Sequence, residues 1–87
     1  KPDYAEAHNN LANLLSQIGR SDEAEFYYRK AIRLKPDSAE FHNNFGVFLV
    51  GQQKIDEATH HFNEALRYDP DNPDMQRNLR RLTFQRL

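Results

Sequence analysis

Carboxamide side chains recur along this sequence at a fixed interval. The pair Asn9-Asn10 returns 34 residues later as Asn43-Asn44, and Asn78 falls on the same register as Asn10 and Asn44. Asparagine is a poor residue for a helix interior, because its amide competes for the hydrogen bonds of the backbone. A carboxamide offers a donor and an acceptor together, so a row of them can pair with the backbone of an extended peptide. The spacing predicts either such a peptide-binding row or a set of bonds that fix neighbouring helices.

Other kinds of chemistry find little support in the residue pattern. The serines fall at predicted turns or helix caps, and the sequence has no glycine-rich phosphate loop and no nucleophile elbow. His60 and His61 are adjacent, so on a helix they point about 100° apart and cannot chelate one metal ion. His8 and His42 are expected to pack within or between helices. We therefore predict a protein that is not an enzyme, with no metal site and no cofactor.

The composition describes one small domain without strong charge. The 87 residues carry a formal net charge of −1, with acidic and basic residues interspersed, and this argues against a nucleic-acid partner. The apolar runs are only a few residues long, too short for insertion into a membrane. Cysteine is absent, so neither disulfides nor thiolate chemistry are expected. These features favour an intracellular soluble protein.

An internal repeat predicts the architecture. Shifting residues 1–34 onto 35–68 gives 14 identical pairs, and a repeat of that period is typical of stacked helix–turn–helix units. We predict an all-α single domain over residues 1–87. Residues 1–2 would be the tail of a preceding repeat within a longer protein, residues 3–36 and 37–70 two repeats, and residues 71–87 a capping helix.

Residues that favour helix ends and turns support these units. Asp3 and Asp37 are predicted to begin the first helix of each unit, and Ser21 to cap a second helix. Gly19 suits a left-handed turn, and Gln53, which stands at the same position of the second unit, is expected to be mildly strained.

The spaced residues of both units resemble the tetratricopeptide repeat (TPR) family. The first unit matches its pattern with Leu11, Ala12, Leu15, Ala24, Tyr28, Ala31 and Pro36, and the second with Phe45, Gly46, Leu49, Ala58, Phe62, Ala65 and Pro70. The resemblance implies a right-handed superhelical solenoid whose first helices line a concave groove. His8 and His42 depart from the pattern, because they replace an aromatic residue of the family.

The resemblance also allows two groove types to be compared. The clamp that holds the carboxylates of chaperone tails needs basic residues where this sequence has Asn9, Asp74 and Asn78, so it is not expected. The groove asparagines of the O-GlcNAc transferase arm are similar to Asn10, Asn44 and Asn78. The resemblance thus implies a scaffold that binds an extended or helical segment of a protein or peptide client. The predicted groove residues are Asn9, Asn10, Asn13, Asn43, Asn44, Val47, Asn78, Arg77 and Arg81.

A second hypothesis is that this chain associates with copies of itself. Apolar residues near the start of the first helix would pack on a preceding repeat, and without it they form an exposed patch that favours a homodimer or helix exchange. One aromatic residue of the last helix lies off its apolar stripe and is assigned to the same role. The residues of this hypothesis are Tyr4, Ala7, Leu11, Leu14 and Phe84.

Overall fold

Five helices of similar length follow one another over residues 4–86, the part of the chain that the structure describes. The structure, a computed structural model, describes residues 4–86, with the side chains of residues 84–86 excepted. The predicted cap at Asp3 and the repeat tail at residues 1–2 lie outside the described residues. The helices are α1 (Tyr4–Gln17), α2 (Ser21–Leu34), α3 (Ala39–Gly51), α4 (Ile55–Tyr68) and α5 (Pro73–Arg86). Residues 4–86 contain no strand, so the described chain is an all-helical repeat solenoid.

The helices pack as two hairpins followed by a fifth helix. α1 packs mainly on α2 and α3 mainly on α4, while α2 contacts α3 and α5 covers α4. Small residues allow the close approach within each hairpin, since Ala12, Ala24 and Ala58 are completely buried. At Gly46 an added Cβ would lie only 2.6 Å from Cε1 of Phe62, so no larger residue fits there without movement.

Aromatic side chains fill the junction between the two hairpins. The Tyr28 ring of α2 lies 5.6 Å from that of Phe45 and 5.3 Å from that of Phe48, both on α3. Arg29 places its guanidinium 4.8 Å from the centre of the Phe45 ring and pairs with Glu57 of α4 at 2.8 Å. The unit boundary is thus a continuous part of the core, as stacked repeats require.

The turns within the two hairpins share one geometry. Gly19 has φ of +83°, and Gln53, at the same position of the second unit, has φ of +63°. In each turn a backbone N–H closes back on the first helix, from Arg20 to Leu15 O and from Lys54 to Leu49 O, both at 2.9 Å. The strained conformation predicted for Gln53 is confirmed, because a residue with a Cβ is unfavourable in this region.

Two of the helix caps predicted from the sequence are wrong. Ser38, not Asp37, is the N-cap of α3, and its Oγ accepts a hydrogen bond from the Phe41 N–H at 3.1 Å. Ser21 caps nothing, because the turn places Arg20 at the N-cap of α2 and makes Ser21 the first helical residue. In α5, by contrast, the predicted cap is present, since Asn72 Oδ1 accepts from the N–H groups of Asp74 and Met75.

The fifth helix covers the end of the second hairpin. Met75 and Leu82 are buried, and Leu79 packs against the same core. Arg80 is exposed at the position that Ala12 and Gly46 occupy in the two earlier units. A bulky charged residue there leaves no room for the close helix contact that these small residues permit.

Candidate functional site

The paired asparagines form hydrogen bonds that join α1 to α3, the first helices of the two units, and α3 to α5. The Nδ2 of Asn44 on α3 donates to Oδ1 of Asn9 on α1 at 3.4 Å. The Nδ2 of Asn78 on α5 donates to Oδ1 of Asn43 on α3 at 3.0 Å. Each bond uses one N–H of the donor amide. The carbonyl oxygens of Asn44 and Asn78 therefore remain free to accept a further bond.

The predicted groove asparagines occupy different environments. Asn10 is exposed and makes no side-chain hydrogen bond to the described residues, whereas Asn44 and Asn78 are half-buried. Asn9 is completely buried, and its Nδ2 has no partner among the described residues. Its assignment to the groove surface was therefore wrong, because a side chain enclosed between helices cannot meet a client. Asn43 is half-buried and engaged with Asn78.

An open cleft of about 490 Å³ lies between α1 and α3. We call it the first cleft. The residues that line it are uncharged: Asn13, Ser16, Gln17, Ser21, Tyr28, Asn44, Val47, Phe48, Gly51 and Gln52. Burial raises the pKa of the Tyr28 phenol, so its hydroxyl stays protonated and donates to Asn13 Oδ1. The first cleft can therefore exchange hydrogen bonds with a polar segment but offers no charge to it.

A smaller cleft of about 240 Å³ lies between α3 and α5. This second cleft is lined by Val47, Val50, Phe62, Asn78, Arg81 and Leu82. Val47 belongs to both clefts and is 52% exposed, so the two openings adjoin along α3. The predicted groove residues Asn13, Asn44, Val47, Asn78 and Arg81 are thus brought together on one continuous surface. We call it the groove surface.

The two arginines assigned to the groove differ in their partners. Arg77 pairs with Asp74 on its own helix, with Nη1 2.8 Å from Oδ1, and it lines neither cleft. Arg81 lines the second cleft, is exposed and has no ion pair among the described residues. Of these two arginines, only Arg81 is therefore placed to offer a free positive charge to a bound segment.

The structure contains a buried pair of histidines, His42 and His61, that was not predicted from the sequence. His42 Nε2 lies 2.8 Å from the carbonyl oxygen of Pro36, which can only accept, so this nitrogen carries the proton. In neutral His42 the other nitrogen is then an acceptor, and His61 Nδ1, 3.0 Å away, donates to it. Both rings are buried, at 5% and 8% exposure. His42 packs in the interior as predicted, but its partner lies on another helix and could not be read from spacing along one helix.

The charge state of this pair follows from its surroundings. Burial lowers the pKa of His61 to about 4, with further lowering by His42, His60 and Arg29, against the opposing effect of Glu57. The carboxylate of Glu57 lies 3.8 Å from His61 Nε2 but is already paired with Arg29. In the first unit the equivalent residues are His8 and Tyr27, whose rings stack with their centres 5.6 Å apart, so the repeat alignment has no second histidine that could have indicated the pair.

Comparison with protein families agrees with the repeat geometry. Two models described as tetratricopeptide repeat match residues 5–38 and residues 44–79, which together span most of the chain. The chain belongs to the tetratricopeptide repeat family. A search of curated proteins found no significant match. The helical repeat solenoid expected from the resemblance is therefore confirmed, and TPR units are in general modules for protein–protein interaction.

The first TPR unit presents an uncovered apolar face. Tyr4 is 67%, Leu11 38% and Leu14 53% exposed, and Ala7 is exposed beside them. The residues 34 positions after Ala7, Leu11 and Leu14 are Phe41, Phe45 and Phe48, which are all buried. The self-association residues on α1 thus lie together on one face. The side chain of Phe84, which was assigned to the same role, is outside the described part of the chain.

Neither a cluster of metal ligands nor a long apolar helix is present among the described residues. Within residues 4–83, no cluster of three or more histidine, cysteine, aspartate or glutamate side chains could hold a metal ion. In the same part of the TPR chain, no helix combines the length and apolar character needed to cross a bilayer.

Proposed function

We propose that the groove surface binds an extended segment of a protein client. The observation that supports this most directly is the hydrogen bonding of the Asn44 and Asn78 side chains. Each amide is held by a bond to the preceding first helix and keeps a free carbonyl oxygen at the edge of a cleft. An acceptor that is already oriented costs less conformational entropy when it meets the N–H of a bound backbone.

The surface also suits a chain more than a compact ligand. The first cleft is open and the second is smaller than the roughly 300–1,000 Å³ of small-molecule pockets. The two adjoin along α3 at Val47, so a segment lying across the first helices would meet both. Binding through its backbone would make recognition tolerant of sequence, in the manner suggested by the resemblance to the O-GlcNAc transferase arm.

The test uses linear peptides selected on the intact chain from a displayed library. Their affinities would be measured by fluorescence anisotropy on the wild type, Gln17→Ala and Val47→Gln. Gln17 lines the first cleft, is exposed and makes no side-chain hydrogen bond to the described residues, so its truncation removes a client contact without breaking a bond of the fold. Glutamine at position 47 would intrude into both clefts. We expect both variants to bind several-fold more weakly.

The matched control is Asn63→Ala, an exposed asparagine on α4 away from both clefts. Its affinities should equal those of the wild type. Equal affinity in all four proteins, or a selection that yields no binding peptide, would refute a peptide-binding groove surface.

The uncovered face of α1 supports a second candidate, self-association of the chain. Packing Leu11 and Leu14 against a second copy would remove their apolar surface from water, as the equivalent residues of α3, Phe45 and Phe48, are removed from water within the core. In that case light scattering over a concentration series should show a dimer that Leu14→Glu abolishes. Leu34→Glu, at an equally exposed leucine on α2, is the control. A monomer at every concentration of the wild type would end this hypothesis.

A further inference from the structure

The two clefts of the groove surface are copies of one another in the repeat. Every residue that lines the second cleft stands 34 positions after a residue that lines the first. The pairs, first cleft to second, are Asn13 and Val47, Ser16 and Val50, Tyr28 and Phe62, Asn44 and Asn78, Val47 and Arg81, and Phe48 and Leu82. The two clefts therefore differ in the side chains that equivalent positions of the repeat carry.

The walls change from polar to apolar between the copies. The amide, hydroxyl and phenol groups of Asn13, Ser16 and Tyr28 have no counterparts in the second cleft, where valine, valine and phenylalanine stand instead. Only the asparagine that carries the backbone contact is retained, as Asn78. The second cleft thus keeps the means to hold a backbone but has walls that favour an aliphatic side chain.

The residue at the rim of the cleft changes from apolar in the first cleft to charged in the second. Where the first cleft has the apolar Val47, the second has Arg81. This guanidinium is exposed and has no ion pair among the described residues, although Arg77, one turn earlier, is neutralised by Asp74 at 2.8 Å. A free guanidinium beside an apolar opening complements a carboxylate, which it can bind through two parallel hydrogen bonds.

We propose that the second cleft is a specificity site for an aliphatic side chain that is followed or preceded directly by an acidic one. The aliphatic group fills the space between Val50, Phe62 and Leu82, and the neighbouring carboxylate pairs with Arg81. The first cleft accepts an uncharged polar residue of the same client. This inference rests on the proposed function of the groove surface.

The experiment titrates short glycine–serine peptides that carry one central pair into the isotopically labelled 87-residue chain. The pairs are Leu-Glu, Leu-Gln, Leu-Lys and Ser-Glu, and the readout is the amide shift of each residue by NMR. We expect shifts in the second cleft and an affinity about tenfold higher for Leu-Glu than for Leu-Lys, which corresponds to the combined attraction and repulsion of one partly exposed charge. Leu-Gln should fall between them, and Ser-Glu should bind more weakly than Leu-Glu.

A reversal of charge makes the assignment to Arg81 decisive. Arg81→Glu should prefer the Leu-Lys peptide, whereas Arg80→Glu, next to it but outside the cleft, should keep the preference of the wild type. Equal binding of Leu-Glu and Leu-Lys with shifts in the clefts would overturn this inference and leave the groove function standing. Shifts that avoid both clefts for every peptide would overturn both.

Discussion

The stability of this protein should depend on pH through its buried histidine pair. His61 donates to His42 as a neutral ring, and protonation places a positive charge on a side chain that is only 8% exposed. Replacing His61 with glutamine removes the titrating ring and retains an amide N–H that can donate to His42. His60→Gln makes the same change at the adjacent, exposed histidine and is the matched control.

The magnitude follows from the shift of the His61 pKa from 6.5 in the unfolded chain to about 4 in the folded one. Because the folded state disfavours the proton, the unfolded state binds more protons between these two values. The free energy of unfolding therefore falls as the pH falls through this window, by up to 1.36 kcal/mol per pH unit. From pH 8 to pH 4 the loss from this one group amounts to about 3 kcal/mol, a large part of the total stability of a small domain.

Urea denaturation followed by circular dichroism, at intervals between pH 7.5 and pH 4.5, measures the slope directly. The wild type and His60→Gln should lose stability steeply as the pH falls, and His61→Gln should lose clearly less over the same interval. Restricting the comparison to pH 4.5 and above keeps most of the titration of the carboxylates out of the window. A slope of His61→Gln equal to that of the wild type, or a His61 ring that titrates near pH 6.5 by NMR, would show that the buried histidine pair does not cause the loss of stability.

Three further substitutions test local features of the fold by denaturation. Gly46→Ala should destabilise by about 1–3 kcal/mol, because the new Cβ would lie 2.6 Å from the Phe62 ring. Gln53→Gly should stabilise by about 0.5–1 kcal/mol, because glycine adopts φ of +63° without steric cost. Ser38→Ala should cost about 1 kcal/mol through loss of the α3 cap, while Ser21→Ala, which removes no cap, should change the stability by less than about 0.5 kcal/mol.

The helices and the core were predictable because they follow from the period of the repeat. Small residues at Ala12 and Gly46 and aromatic ones at Tyr28 and Phe62 recur at 34 residues, and all four are buried as expected. Such positions are specified twice in one chain, so a chance match is improbable. The strain at Gln53 was predictable for the same reason, since the first unit has a glycine there.

Features that join one element to another were harder to foresee. The cap of α3 moved by one residue to Ser38, because the exact end of the preceding turn depends on its backbone angles and not on composition. The His42–His61 bond joins two helices and has no histidine pair as its counterpart in the first unit, where Tyr27 stands at the second position. Bonds of the asparagines to neighbouring helices were one of the two predicted alternatives, but the partners were not predicted, because alignment of the repeats pairs equivalent positions, whereas these bonds join positions that are 35 residues apart.

That offset explains why the asparagines come as adjacent pairs. In α3, Asn43 accepts from the following first helix and Asn44 donates to the preceding one, so each residue of the pair serves one neighbour. At α1 the donor Asn10 has no acceptor among the described residues and stays exposed, on the helix whose apolar face is also uncovered. At α5 the accepting position is held by Arg77, which has no acceptor atom and is paired with Asp74. The repeated pair therefore stacks the helices and, through the same amides, sets the free carbonyl oxygens of Asn44 and Asn78 along the groove surface. The two hypotheses for the asparagines, that they fix neighbouring helices and that they bind a peptide, are compatible because each amide has more than one atom that can form a hydrogen bond.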